Sequence, residues 1–277
     1  MAQPTELKFS KKVLHYFAQH RRSLPWRDIE GLSIKDRGYK VVVSEFMLQQ
    51  TQVQRVIPKY TDWMQRWPTI DTFVDAPFAD VLALWSGLGY NRRARYIHGA
   101  LQHILRQYDG LVPNNTEALE ALPGIGTNTA GAIIVYTYNE PMVFIETNIR
   151  TVYLHEFFAN MSQPVSDTQL KSKVAETLDV QNPRQWYYAL MDYGTYIKKR
   201  HGTSLAKSAL YKKQSAFEGS NRQIRGKIIS MLTQLQSIKI EQLQEEIPDE
   251  RLYDCIKKLS SEGMVTTDGI TLRLPHS

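Results

Sequence analysis

One stretch of nine residues decides how this chain folds: Leu122-Pro123-Gly124-Ile125-Gly126-Thr127-Asn128-Thr129-Ala130. Helix-forming segments lie on both sides of it. Gly124 and Gly126 make a tight turn, and their missing side chains let a phosphate group approach the backbone. The N–H groups that open the following helix then face that phosphate. The stretch predicts two helices joined by a turn that grips a phosphate; an ordinary glycine-containing helix connection is the alternative.

The rest of the chain predicts a mainly α fold, because apolar residues recur close to every 3.6 positions. The predicted helices cover about residues 6–22, 41–60, 78–84, 92–108, 116–122, 127–138, 148–158, 167–178 and 183–199. No long strand pattern is found before Met264.

The composition changes near the C-terminal end. Residues 193–217 contain no acidic side chain, and we interpret their later part as a basic linker. Three short helices follow, and then a hairpin in which Asp268-Gly269 joins residues 263–267 to 270–274. This order predicts a small winged-helix (α+β) domain; an arbitrary α+β appendage is the alternative. The predicted domains are therefore a helical domain at 1–200, a basic linker at 201–221 and a winged helix at 222–277.

Charge and composition narrow the class of protein. The 277 residues carry a formal net charge of +6 and the isoelectric point is about 9.2, which favours a polyanionic partner. The single cysteine, Cys255, excludes a disulfide framework and any four-cysteine metal site. No apolar run approaches the roughly 18–20 residues that span a bilayer, and the N-terminus lacks a secretory signal. We therefore expect a cytoplasmic protein with no membrane partner.

The hairpin has recognisable motifs around it. SEFMLQQTQ stands at 44–52 before it and ETNIR at 146–150 after it, and LPWR, WSGLGY and MDYG stand at 24–27, 85–90 and 191–194. Over roughly residues 7–200, the chain resembles the helix-hairpin-helix DNA glycosylases, and most closely the adenine glycosylases of the MutY type. The resemblance implies a two-lobed helical fold and an enzyme that flips a base out of duplex DNA and cuts its N-glycosidic bond.

The resemblance also implies roles for particular residues. Glu45 would protonate the adenine ring, and such an acid needs a partly apolar pocket that raises its pKa; a solvated helix glutamate is the alternative. Gln49 and Gln50 would approach the opposite strand and the orphaned base, unless they are ordinary polar surface residues. Tyr90 would wedge into the base stack, unless it is a core tyrosine.

The hairpin itself would bind DNA through Gly124, Gly126, Thr127, Asn128 and Thr129. Bifunctional relatives such as endonuclease III carry a lysine at the position of Asn128, and that amine forms the Schiff base that leads to strand cleavage. An asparagine cannot do this. We therefore predict a monofunctional glycosylase, although another lysine could substitute.

At Glu146 the chain departs from the resemblance, since the family carries an aspartate that stabilises the oxocarbenium-like sugar. A glutamate keeps the charge and adds a methylene, and misplacement by about 1 Å can cost on the order of 100-fold in rate. Three interpretations stay open: Glu146 does the same work in a re-spaced pocket, the pocket accepts another base, or the site is weak or inactive.

Two parts usual in these relatives are absent from the pattern. Four cysteines binding a [4Fe–4S] cluster normally follow MDYG, and this chain continues with Lys198-Lys199-Arg200-His201, so we predict no cluster and no other cofactor. The residues after Ser220 predict a winged helix instead of the larger Nudix-like domain that checks for 8-oxoguanine. The winged helix would bind DNA through a helix and a wing, or serve only in packing or protein interaction.

The sequence thus predicts a monomeric, nucleoid-associated base excision enzyme. It would remove adenine mispaired with 8-oxoguanine or guanine in double-stranded DNA. A glycosylase for thymine or uracil opposite guanine is one alternative. A catalytically inert DNA-binding lesion sensor is the other, and the two glutamates argue against it.

Overall fold

The structure is a computed structural model, and it describes residues 4–202, 208–209 and 217–275. Its elements in chain order are α1 (Pro4–His20), a 3-10 turn (Pro25–Arg27), α2 (Ile34–Leu48), α3 (Val53–Arg66), α4 (Ile70–Phe73), α5 (Phe78–Trp85), α6 (Arg92–Tyr108), α7 (Thr116–Glu120), α8 (Thr127–Tyr138), α9 (Thr147–Glu156), α10 (Asp167–Thr177), α11 (Pro183–His201), α12 (Asn221–Leu235), β1 (Ser237–Lys239), α13 (Ile240–Glu246), α14 (Leu252–Ser261), β2 (Thr266–Thr267) and β3 (Thr271–Arg273). The predicted fold class, mainly α with a small C-terminal sheet, is confirmed. Lys207, Lys212 and Lys213 of the predicted basic linker lie outside the described residues.

The chain divides into two compact units, and each draws on segments that are distant in sequence. The first unit comprises Met1–Arg27, Asn114–Glu120 and Ile125–Lys213. The second comprises Asp28–Pro113, Ala121–Gly124 and Gln214–Ser277. The C-terminal segment shares a compact unit with α2 to α6. The domain boundaries at 200 and 221 stay a prediction.

The core of the first unit lies where α1 and α9 pack on α11. Phe9 and Val13 stand four positions apart on α1, so both point to one side of the helix, and both are buried. The Phe9 ring meets Trp186 edge-on, with centroids 5.8 Å apart, and Tyr153 at 5.5 Å. The amphipathic pattern of the first helix is thus explained by burial of aromatic rings against α9 and α11.

A buried carboxylate on α11 binds the segment that follows α1 within the first unit. The Asp192 carboxylate accepts hydrogen bonds from Arg27 Nη1 and Nη2 at 2.9 and 2.8 Å. It also accepts one from the Arg22 backbone N–H at 3.0 Å. Burial opposes ionisation of Asp192, but the hydrogen bonds and charges of the two arginines outweigh it and lower its pKa. The LPWR and MDYG motifs therefore meet in one ion-pair network.

The core of the second unit is built around tryptophans. Trp63 Nε1 donates to the Tyr39 hydroxyl at 2.8 Å, and that hydroxyl donates to the Trp67 carbonyl at 2.7 Å. The Trp63 ring stacks on Phe73 and meets Trp85 edge-on. The indole N–H and the phenol are thus both satisfied, which is what their burial requires. Among the described helices, none is long and apolar enough to cross a membrane.

The helical segment predicted near 41–60 is interrupted in the structure. α2 begins earlier, at Ile34, and ends at Leu48, and α3 begins at Val53. Between them the backbone turns through Gln50, which has a left-handed φ of 54°. The interruption has a long-range cause, because the Arg93 guanidinium binds carbonyl groups at the end of α2 that a longer helix would use internally.

The C-terminal segment contains the three predicted helices and the predicted hairpin, together with one strand that the sequence did not indicate. β1 pairs antiparallel with β3, and β3 with β2, so the sheet order is β1-β3-β2. At the hairpin turn, Asp268 Oδ1 accepts the N–H groups of Ile270 and Thr271, and Gly269 has a φ of 91°. β1 has only three residues, too few for an alternating pattern to predict it.

Candidate functional site

The predicted hairpin consists of α7, a turn at residues 121–126 and α8. Leu122 and Ile125 are buried and anchor the turn, while Gly126, Thr127 and Asn128 are exposed. Gly126 is the N-cap of α8, and a glycine has no side chain that could occupy the N–H groups of the first turn. The exposed start of a twelve-residue helix is a favourable place for an anionic oxygen.

Gly124 is required at its position for two reasons. Its φ is 81°, and a Cβ added there would lie 2.8 Å from Tyr96 and 2.9 Å from Phe46. The Gln49 side chain donates from Nε2 to the Gly124 carbonyl at 3.2 Å. The SEFMLQQTQ motif and the hairpin turn, which are about 75 residues apart, are thus in direct contact within the second unit.

Glu45 lies in the last turns of α2, on a strongly apolar stretch. Its neighbours Val42, Val43, Phe46 and Met47 are fully buried, whereas Glu45 itself is half-buried. The helix therefore places this carboxyl group at the edge of an apolar core. Its half-buried position leaves the carboxyl group within reach of a bound molecule, which a proton donor requires.

Arg93 holds two loops together: the turn that follows Glu45, at residues 49–51, and the loop that precedes Tyr90. Sequence reasoning missed this residue. From Nη1 it donates to the carbonyl oxygens of Phe46 at 2.8 Å and Gln49 at 2.6 Å. From Nη2 it donates to Thr51 Oγ1 at 2.9 Å and to the Gly89 carbonyl at 2.8 Å. Burial lowers the pKa of Arg93 to about 10, so it stays charged at neutral pH. The signal available in the sequence was an arginine on the buried face of α6.

Tyr90 closes the WSGLGY loop in a left-handed conformation. Its φ is 49°, and the flanking Gly87 and Gly89 have φ values of 93° and 73°. A tyrosine rarely adopts this conformation, so its neighbours must hold it there. The residue is half-buried. The loop therefore presents an aromatic ring from a backbone conformation that local preference alone does not favour.

Glu146 caps α9 in the first unit. Its backbone is extended and its Oε1 accepts the Asn148 N–H at 3.1 Å, as an N-cap side chain does. Surrounding protein atoms raise the pKa of Glu146 by burial, although the residue retains some exposed surface. The Asn148 N–H and the charge of Lys198 act in the opposite direction and favour the carboxylate.

Asn148 connects Glu146 to α11. Lys198 Nζ donates to Asn148 Oδ1 at 2.7 Å, and burial lowers the pKa of this lysine. One turn earlier, Gly194 lets the two helices touch, since a Cβ there would lie 2.6 Å from the Asn148 carbonyl oxygen. Sequence reasoning placed Lys198 in the basic segment after MDYG and did not predict this contact.

Asn128 has a structural partner in the first unit. Its Oδ1 accepts the backbone N–H of Ile145 at 3.1 Å. The hairpin helix α8 is thus joined to the residue immediately before Glu146. The other predicted contacts divide between the units: Glu45, Gln49, Gln50, Tyr90 and Gly124 lie in the second, and Gly126, Thr127, Asn128, Thr129 and Glu146 in the first.

The residues present do not fit a four-cysteine iron–sulfur cluster. Cys255 is the only cysteine of the chain. It is buried on α14 in the second unit, and burial raises the pKa of its thiol. Among the described residues, no group of three or more histidine, cysteine, aspartate or glutamate side chains could hold a metal ion.

Comparisons with known proteins identify the family and several relatives of the chain. Residues 43–177 match the model of the HhH-GPD superfamily of base excision DNA repair proteins. The chain is 35% identical over 194 residues to an adenine DNA glycosylase of Buchnera aphidicola, covering 70% of this chain and 54% of the relative. It is 32% identical over 236 residues to the adenine DNA glycosylase of Mycolicibacterium smegmatis, covering 80% of this chain and 79% of the relative.

A solved structure has the same fold. A thermostable thymine-DNA glycosylase superposes with a TM-score of 0.60 and 20% sequence identity, over 74% of this chain and 93% of that structure. The chain spans about half the length of the Buchnera relative and about four fifths of the Mycolicibacterium one.

Proposed function

Because the chain belongs to the adenine DNA glycosylase family of the HhH-GPD superfamily, we propose that it removes adenine from double-stranded DNA in base excision repair. The adenine would be mispaired with 8-oxoguanine or guanine. The observation that carries the proposal is the retention of two carboxyl groups in the family's order: Glu45 at the edge of an apolar core, and Glu146 at the cap that follows the hairpin.

The first steps are binding and extrusion of the base. The N–H groups at the start of α8 bind a backbone phosphate beside the lesion, which fixes the register and reads no base. Gln49 and Gln50 approach the opposite strand from the turn that Arg93 fastens. Tyr90 enters the base stack and helps to offset the unstacking cost of a few kcal/mol.

The chemical step breaks the bond between the adenine ring and C1′ of the sugar. The Glu45 carboxyl group donates its proton to a ring nitrogen, so that adenine leaves as a neutral base. The Glu146 carboxylate stabilises the positive charge that develops on the sugar. A water molecule then adds its oxygen to C1′ and gives up a proton, which returns Glu45 to its acid form. The products are free adenine and an abasic site. In this proposal, Glu146 does the work of the family's aspartate.

The enzyme would be monofunctional and would work without an iron–sulfur cluster. Strand cleavage by the Schiff-base route needs a nucleophilic amine, and the Asn128 amide has none. The chain has one cysteine where a cluster needs four. Two measurements test these points: trapping of a covalent DNA adduct with borohydride, and iron analysis of the purified protein. An adduct would contradict the first, and stoichiometric iron with blue-violet absorbance the second.

The decisive experiment is single-turnover base release from duplexes with one central pair. Five substrates are compared: adenine opposite 8-oxoguanine, adenine opposite guanine, thymine opposite guanine, uracil opposite guanine, and a matched duplex. Wild type, Glu45→Gln and Glu146→Ala are run together, with alkali to reveal abasic sites. The exposed Glu241 on α13 supplies the control variant Glu241→Gln.

We expect adenine release by wild type and Glu241→Gln, and its loss in the two site variants. Release of a pyrimidine would keep the mechanism and change the substrate. Binding without release from any duplex would leave a DNA-binding lesion sensor and contradict the enzyme.

A further inference from the structure

The C-terminal module, which we define as residues 221–275, is fixed within the second unit by specific contacts. α12 packs against α5. Arg95 Nη1 on α6 donates to the Gly263 carbonyl at 3.0 Å. Gly263 has a φ of 63°, and a Cβ there would lie 2.7 Å from the Arg95 guanidinium, so the glycine permits this close approach.

The module also reaches the loop that presents Tyr90. Arg222, in the first turn of α12, donates from Nη1 to the Tyr90 hydroxyl at 2.7 Å. Its guanidinium carbon lies 5.5 Å from the centre of the Tyr90 ring. The corresponding carbon of Arg93 lies 5.6 Å from the same ring. Two guanidinium groups, from helices that are distant in sequence, thus contact one aromatic side chain.

Tyr90 has a particular need for such support. Its φ of 49° is unfavourable for a residue with a Cβ, and it follows a glycine with a positive φ. Arg93 fixes the backbone of the loop through the Leu88 and Gly89 carbonyls, at 3.1 and 2.8 Å. Arg222 reaches the opposite end of the side chain, the phenolic oxygen. The contacts of the two arginines therefore fix the tyrosine at both ends.

We propose that Arg222 is a positioning residue for Tyr90, through which the C-terminal module sets the ring that enters the DNA. The inference rests on the role given to Tyr90 in the proposed function. It makes the module part of the lesion-recognition machinery by way of a protein contact. It also gives the phenolic oxygen of Tyr90 a role. Insertion into the base stack needs only the aromatic ring, whereas the oxygen accepts the hydrogen bond from Arg222.

A double-mutant cycle tests this relationship. Arg222→Ala removes the donor, and Tyr90→Phe removes the acceptor while it keeps the ring. We expect each to reduce the single-turnover rate by about 10-fold, since a hydrogen bond from a charged donor is lost. The double variant should be no slower than either single variant, because both remove one interaction. Arg222→Lys, which keeps a charged donor, should recover part of the rate. Lys257→Ala, an exposed position on α14, is the charge-matched control.

Two further measurements separate positioning from a direct contact with DNA. Hydrogen exchange of residues 86–90 in the DNA-free protein should become faster in Arg222→Ala and stay unchanged in Lys257→Ala. The salt dependence of binding to a duplex with an abasic analogue should stay unchanged as well, whereas loss of a phosphate contact would lower its slope by about one.

Losses that multiply in the double variant, or exchange that does not change, would overturn the inference. Exchange and binding need no chemistry. A wild type that released no base would therefore count against the proposed function alone, and these two measurements would still decide the role of Arg222.

Discussion

Lys198 acts on Glu146 through a single intervening residue. Its Nζ holds the Asn148 side chain at 2.7 Å, and the Asn148 backbone N–H holds the Glu146 carboxyl at 3.1 Å. The lysine stands in the segment after MDYG. A cation thus supports the first turn of α9 from the segment in which the resemblance expects an iron–sulfur cluster.

The first prediction concerns the pH dependence of base release. Burial raises the pKa of Glu146 and the charge of Lys198 opposes that rise. Lys198→Met removes the opposing charge and should raise the pKa further. Because Glu146 is needed as a carboxylate in the proposed mechanism, the acidic limb of the single-turnover pH profile should move to higher pH, with a loss on the order of 10-fold along that limb. Lys199→Met, at the exposed next position, is the control. A uniform loss at every pH would indicate a structural effect instead.

The second prediction concerns stability. The pKa of Glu146 is raised in the folded protein above its ordinary value of 4.5. The native state therefore binds more protons than the unfolded state, and the free energy of unfolding falls as the pH rises through and above 4.5. Glu146→Gln lacks this decline and keeps an oxygen for the Asn148 N–H. In denaturant unfolding, the free energy of unfolding of the variant should rise relative to that of wild type as the pH increases. A difference that does not depend on pH would contradict the expectation.

The third prediction compares two glycines inside helices. A Cβ at Gly194 would lie 2.6 Å from a backbone carbonyl oxygen, so Gly194→Ala must separate α11 from α9, at a cost of about 1–3 kcal/mol. A Cβ added at Gly226 on α12 would meet no atom of another element within 4 Å. Gly226→Ala should instead stabilise the protein by roughly 0.5–1 kcal/mol, because alanine favours a helix. Thermal or denaturant unfolding measures both, and equal effects would contradict the close approach.

The fourth prediction concerns the loops that Arg93 fastens. Arg93→Met removes the donors of several buried carbonyl groups and should lower the free energy of unfolding by about 2–4 kcal/mol. It should also weaken duplex binding, since the Gln49 turn and the Tyr90 loop lose their common support. Arg92→Met, at an exposed neighbouring position, removes the same charge without these contacts. Equal effects of the two variants on stability would show that charge, and not the carbonyl contacts, matters.

Sequence reasoning reached the local features and missed the long-range ones. The hairpin at Gly124 and Gly126, and the positions of most helices, follow from periodicity and turn chemistry and were predicted. The end of α2 was not, because it depends on Arg93, 44 residues from Gln49. Nor was the Arg222 contact with Tyr90, which joins positions 132 residues apart. The hydrophobic periodicity of a segment indicates which of its own residues are buried. It carries no information about which side chain from a distant part of the sequence contacts that segment.

The Asp192 network has a consequence for how the protein is made. Arg27 and Asp192 are 165 residues apart, and the carboxylate that binds the N-terminal segment belongs to α11. At synthesis rates of roughly 5–20 residues per second, the ribosome needs about 8–33 seconds to supply that partner. Until α9 and then α11 have been synthesised, the apolar face of α1 lacks the helices that cover it in the folded protein. The nascent N-terminal helix is therefore expected to be a substrate for chaperones on the ribosome until the first unit closes.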